Sequence, residues 1–167
     1  TEGSVLSVHV SIPILEGKKE PVLLMDGDVL YPSAMLRRLI ASRHPTVLLI
    51  DREYSTADDD PVLVPIARGR PFEFLKKWQG EAELVGESIG FFKVDPLDLP
   101  AFIAETERRT TGEERMSSYD EVIRTLVRAG QFGYEDMTGM PWTEIDLPED
   151  VLRARDEVLP AIECFEG

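Results

Sequence analysis

Two acidic motifs lie far apart in this chain, and their residue types suit one chemistry. Asp26-Gly27-Asp28 follows the apolar run Val22-Leu23-Leu24-Met25, and Trp142-Thr143-Glu144-Ile145-Asp146 precedes Pro148-Glu149-Asp150. An apolar run ending in carboxylates reads as a buried parallel strand that carries acid groups to the carboxyl edge of a sheet, where open α/β folds bind ligands. Glu144 and Asp146 are two residues apart, so on extended backbone their side chains point the same way. Asp28, Glu144 and Asp146 meeting at one sheet edge would suit a hard divalent cation that takes oxygen ligands, and Mg²⁺ of this kind usually arrives with a phosphate. Duller roles are open to the same residues. Asp28 or Asp26 could cap a helix near Pro32, and Asp146 could serve the N-terminus of a helix after Pro148. Asp26 reads as structural rather than as a metal ligand, because its side chain should point away from that of its neighbour.

The elements that would position these groups alternate from Pro21 onward, which predicts an α/β fold with a largely parallel sheet. Val22–Met25 is a strand. Met35, Leu36, Leu39 and Ile40 repeat with helical spacing after Pro32, and Val47–Ile50 is a second buried strand stopped by Asp51. Val62–Ile66 and Phe72–Leu75 flank Arg68-Gly69-Arg70 as a hairpin, and Glu87–Val94 is a further strand with Gly90 close-packed inside it. Leu97–Arg109 reads as an amphipathic helix. Ser118 and Glu121 have capping-box spacing and open a helix to Gly130. Phe132–Met137 is a short strand, and a last helix runs from Pro148 to about Pro160. Asp58-Asp59-Asp60 is a solvated turn. Val8, Val10, Ile12 and Ile14 alternate, which locally favours a strand.

With 167 residues, 43% hydrophobic and 30% charged, the chain is one soluble globular domain. Its net charge of −14 repels nucleic acid and anionic membranes, yet leaves room for a single nucleotide whose metal inverts the local charge. Cys164 is the single cysteine, which excludes an internal disulfide and a cysteine-based zinc site. No stretch approaches a membrane span and the first residues do not resemble a signal peptide, so the cytoplasm is the expected location.

Leu23–Tyr31, a helix and then Val47–Asp51 resemble the middle of the nucleotidyltransferases that activate sugar phosphates and phospho-alcohols. Gly86–Phe91, Tyr119-Asp120-Glu121 and Pro141–Asp146 are similar to the cytidylyltransferase branch that handles phosphocholine, inositol 1-phosphate or phosphonates. The resemblance runs from Gly3 to about Pro160. It implies a Rossmann-like, mostly parallel sheet flanked by helices, in a single domain over residues 1–167. It also implies transfer of CMP from CTP to a small phosphorylated or phosphonate acceptor, with Mg²⁺ held by Asp28, Glu144 and Asp146, and allows a homo-oligomer. Gly3 and Ser4 would open a helix near the nucleotide, against the local alternation, and helix is the expectation adopted; Asp26 belongs to the same nucleotide side. Glu87, Tyr119 and Glu121 are candidates for the acceptor, since an acidic–aromatic set can hold a quaternary ammonium. The family's glycine-rich basic loop, which follows its first strand, has no counterpart. The chain is therefore expected to be truncated at the N-terminus, lacking the nucleotide-binding segment and most of the rate. The alternative is a non-catalytic shortened relative that binds a ligand or partner or assembles into oligomers.

Overall fold

A computed structural model describes residues 3–54, 61–111, 114 and 116–166. The Asp58-Asp59-Asp60 turn expected from the sequence lies outside them. The elements, in chain order, are α1 (Val5–His9), α2 (Ile12–Leu15), β1 (Val22–Met25), β2 (Val29–Leu30), α3 (Ser33–Ala41), β3 (Val47–Asp51), β4 (Leu63–Ala67), β5 (Arg70–Pro71), β6 (Leu84–Val94), α4 (Leu99–Arg109), α5 (Asp120–Arg128), β7 (Gly133–Asp136), β8 (Thr143–Glu144) and α6 (Pro148–Arg153). A π-helical turn, Ala154–Val158, and α7 (Leu159–Glu166) complete them.

The long strand β6 organises the sheet. β3 pairs with one of its edges, while β1 and β4 lie end to end along the other, all antiparallel to it. β1, β3 and β4 therefore run in one direction, and β7 joins β3 in parallel. The α/β expectation of a helix-flanked sheet containing parallel strands holds, but the sheet is mixed rather than largely parallel: among the described residues β3–β7 is its one parallel pairing, and the oppositely directed β6 lies between β1 and β3. The alternation of a pleated strand divides the core. Leu48, Ile50, Phe92 and Val94 face one cluster, with α1, α4 and α5; Val47, Leu49, Ile89 and Phe91 face the other, with Met35 and Leu39 of α3. All four residues of Val47–Ile50 are fully buried, as an apolar strand covered on both faces must be.

One further local expectation holds and three differ. The N-terminus is helical, as the resemblance implied. Val8 and Ile12 are buried while Val10 and Ile14 are 75% and 67% exposed, so the apparent alternation is two sides of a helical path. Phe72–Leu75 is not a full strand: the hairpin reverses at Arg68 and Gly69, both with positive φ, and pairs only through Arg70–Pro71 before a lone bridge from Leu75 to Leu63. The capping box at Ser118 does not form. Ser118 Oγ donates to Asp120 Oδ2 at 2.8 Å, and Glu121 instead approaches Arg109 and Arg124 at 3.8 Å. Finally, the last helix does not stop at Pro160. The preceding π-helical turn accommodates a residue with no N–H to offer, and the helix continues to Glu166.

Lys93 lies in the middle of the sheet with 6% exposure. Its ammonium donates to the carbonyls of Ser42 (2.9 Å) and Ile40 (3.4 Å), so it is held at the negative C-terminal end of α3.

Candidate functional site: two cavities with a shared acidic wall

β1 stops at Met25, opposite Phe91, and β4 begins at Leu63, opposite Glu87. Between them, among the described residues, Ser88 to Gly90 of β6 pair with no strand on that edge, and Ser88 N–H donates to Val62 O at 2.8 Å. The register against β3 also slips here, with Leu48 opposite Phe92 but Ile50 opposite Ser88. Gly90 has φ +74°, and a Cβ built on it would stand 2.1 Å from Asp26 Oδ2. The Asp26 backbone N–H donates to Gly90 O at 3.0 Å. Asp26 is thus laid over a bulged strand that only glycine allows at this point. Gly90→Ala combines this overlap with an unfavourable backbone and is expected to cost about 2 kcal/mol or more, read as a lowered urea midpoint.

A cavity of about 320 Å³ opens in the gap. Asp26, Asp28, Glu87, Tyr119, Glu144 and Asp146 line it, with Asp120 and Lys76. The two acidic motifs meet because β2 and β8 pair antiparallel, Val29 opposite Glu144, and Ile145 N–H donates to Asp28 O at 2.9 Å. Helix capping does not use Asp146. Asp150 does that work, its Oδ2 accepting from the backbone N–H groups of Leu147 (2.8 Å) and Asp146 (3.1 Å). Tyr119, at the start of α5, donates its hydroxyl to Asp26 Oδ1 at 2.6 Å. Burial pushes the Asp26 carboxyl up to about 6; the Tyr119 hydrogen bond opposes this, and the charges of Asp120, Asp28 and Asp146 add to it. Burial likewise raises Asp120 and Tyr119.

A second cavity, of about 610 Å³, lies on the far side of the same wall. Glu87, Glu144 and Asp146 line both. Tyr54, Trp142 and Arg153 face only the second. Trp142 braces the Glu144 segment. Its ring packs with the α3-side core, and its indole N–H donates to Asp51 Oδ2 at 2.8 Å. Arg153 reaches back from α6 to Thr143 Oγ1 at 2.5 Å.

The sequence-derived candidates divide accordingly. Asp26, Asp28, Glu87, Tyr119, Glu144 and Asp146 come together. Gly3, Ser4 and Glu121 are not among the lining residues. Ser4 Oγ accepts from Tyr119 N–H at 3.0 Å and meets Ser118 Oγ at 3.2 Å, and Gly3 packs on the 116–117 backbone, so this helix start braces α5. Asp26 and Tyr119, assigned to different substrates by the resemblance, are bonded to each other. Lys76 and Asp120 also line the first cavity, and Arg153 the second. For Arg153 the sequence offered no signal.

The lining carboxylates are hard oxygen donors, which fits a divalent cation in kind; burial is the main cause that raises Asp26, and the charges of Asp120, Asp28 and Asp146 add to it. Among the described residues, no three His, Cys, Asp or Glu side chains already form a group able to hold an ion. Asp28, Glu144 and Asp146 would have to turn toward a common point to do so.

No family model matches the chain. It is 27% identical over 138 residues to the bifunctional IPC transferase and DIPP synthase of Rubrobacter xylanophilus, covering 79% of this chain and 29% of that protein. Among solved structures, the inositol-1-phosphate CTP transferase from T. maritima superposes with a TM-score of 0.69 at 19% identity, over 96% of this chain and 62% of that one. A chain assigned as a glucose-1-phosphate thymidylyltransferase from Bacillus anthracis, in complex with a sucrose, gives 0.65 at 12% identity, over 92% and 59%. The chain thus spans less than a third of the curated relative it matches and about three-fifths of these two structures. Its fold is that of the nucleotidyltransferases, and its sequence resembles the cytidylyltransferase branch of them.

Proposed function

We propose that this domain carries out nucleotidyl transfer, moving CMP from CTP to a small phosphorylated or phosphonate acceptor, with the two substrates on either side of the wall formed by Glu87, Glu144 and Asp146. The observation that carries this reading is that one acidic wall serves two cavities, each with a cationic side chain in its lining: Lys76 in the first and Arg153 in the second. A single-ligand binding module has no need of two chambers meeting at shared carboxylates.

The acceptor oxygen is already ionised at neutral pH, so it attacks the α-phosphorus in line as pyrophosphate leaves, and no side chain has to remove a proton. What remains for the protein is positioning and charge neutralisation. Asp28, Glu144 and Asp146 would hold Mg²⁺, which when bound offsets negative charge on the phosphate oxygens. Lys76 and Arg153 would each orient an anionic group, and Tyr119 keeps Asp26 turned onto Gly90 rather than into the substrate path. Pyrophosphate release, measured for this chain and for longer forms of it against the four nucleoside triphosphates and a panel of phospho-alcohols, tests the reading. Release dependent on both CTP and an acceptor is expected. No release from any form with any pair would leave the non-catalytic alternative.

A further inference from the structure

Asp26 lines the first cavity together with Asp28, Glu144 and Asp146, yet the proposed cation uses only the last three. Asp26 is not remote from them. The charges of Asp28 and Asp146 are near enough to act on its carboxyl. What separates it is direction. Its Oδ1 accepts the Tyr119 hydroxyl at 2.6 Å, and its Oδ2 lies where a Cβ on Gly90 would be 2.1 Å away. Tyr119 is itself anchored outside the cavity wall. Its ring meets Phe92 edge-on at 6.2 Å, and its N–H donates to Ser4 Oγ at 3.0 Å. Burial raises the hydroxyl, so it keeps its proton and donates to the carboxylate, a charge-assisted bond of the stronger kind.

The number of carboxylates free to turn decides which hard cation a site prefers. Ca²⁺ takes roughly six to eight oxygen ligands in flexible geometry, whereas Mg²⁺ demands a near-octahedral shell and keeps several waters. A fourth carboxylate therefore favours Ca²⁺ more than Mg²⁺. We infer that Tyr119 is a positioning residue that sets cation selectivity: by tying Asp26 to the Gly90 bulge it withholds a fourth carboxylate and biases the site toward Mg²⁺. The inference rests on the cation site proposed above and assigns Tyr119 a task there in place of contact with the acceptor.

Isothermal titration with CaCl₂ and with MgCl₂ at pH 8, where Asp26 is ionised, tests it on the wild type, Tyr119→Phe, Asp26→Asn and the double variant, with circular dichroism to confirm folding. The readout is the ratio of Ca²⁺ to Mg²⁺ affinity, which a general loss of stability or of charge would not move, since both ions are divalent. Tyr119→Phe keeps the ring against Phe92 and should raise the ratio roughly tenfold, as an added carboxylate ligand does. Asp26→Asn should leave the ratio within about twofold of the wild type, and the double variant should return to it, because the gain needs the Asp26 carboxylate. An unchanged ratio in Tyr119→Phe, or a raised ratio that persists in the double variant, overturns the inference while the wild type still binds Mg²⁺. A wild type that binds neither cation removes the proposed site as well.

Discussion

Asp28→Ala and Glu144→Ala should each weaken Mn²⁺ or Mg²⁺ binding by roughly 10–100-fold or more, since even groups that only orient a metal ligand carry effects of this size. Isothermal titration reads it directly. The two residues reach the cavity from opposite ends of the sequence, held together by the β2–β8 pairing and the Ile145–Asp28 backbone bond. The appropriate control is Glu121→Gln. It removes one negative charge from the same chain, but its carboxylate faces Arg109 and Arg124 and does not line the cavity. Titration should find its metal affinity within about twofold of the wild type, because a screened distant charge contributes little. Equal losses in all three variants would mean that general negative charge, rather than a site, attracts the ion.

Asp26→Asn should stabilise the protein at neutral pH and do nothing at pH 4. The Asp26 carboxyl titrates at about 6 in the fold against 3.8 for the free group. A raised folded value means that the fold favours the protonated acid. The associated stability is complete below about pH 4 and is lost as pH climbs through 6. A shift of this size corresponds to about 3 kcal/mol for a fully shielded group, and solvent screening of the partly exposed Asp26 reduces it to roughly 1–2 kcal/mol. Asparagine keeps an oxygen for the Tyr119 hydroxyl and Gly90 keeps the space for it, so only the charge is removed. Urea midpoints for both proteins at pH 4 and pH 7.5, with chelator present, check this. A variant less stable than wild type at pH 7.5 would show that the ionised carboxylate is needed by the fold.

How far the sequence revealed this arrangement depended on the range of the interaction. Val47–Ile50 declared itself because a strand buried on both faces must be apolar throughout, and Glu87–Val94 did so through Ile89, Phe91, Phe92 and Val94 despite the polar residues between them. The acidic ends of β1 and of the Trp142 segment were also visible, but their meeting was not, because it depends on a β2–β8 pair only two residues long on each side. The resemblance supplied that link. Gly90 could be read as close-packed, yet nothing local said that Asp26 was what it packed against. Ser118 and Glu121 had the spacing of a capping box, but Ser118 was engaged by neighbouring Asp120 and by Ser4, which lies far off in the sequence. Lys93 offered no sign of burial, since its partners are carbonyls at the end of a helix some fifty residues earlier.

The central claim is that Asp28, Glu144 and Asp146 close on one cation at the wall between two cavities. An anomalous difference map from crystals grown with Mn²⁺ and CTP addresses it most directly. The account predicts a peak within coordination distance of oxygens from all three side chains, roughly 2.0–2.3 Å as for small hard cations. A well-occupied peak bound elsewhere, or saturated crystals with no peak between these carboxylates, would contradict it.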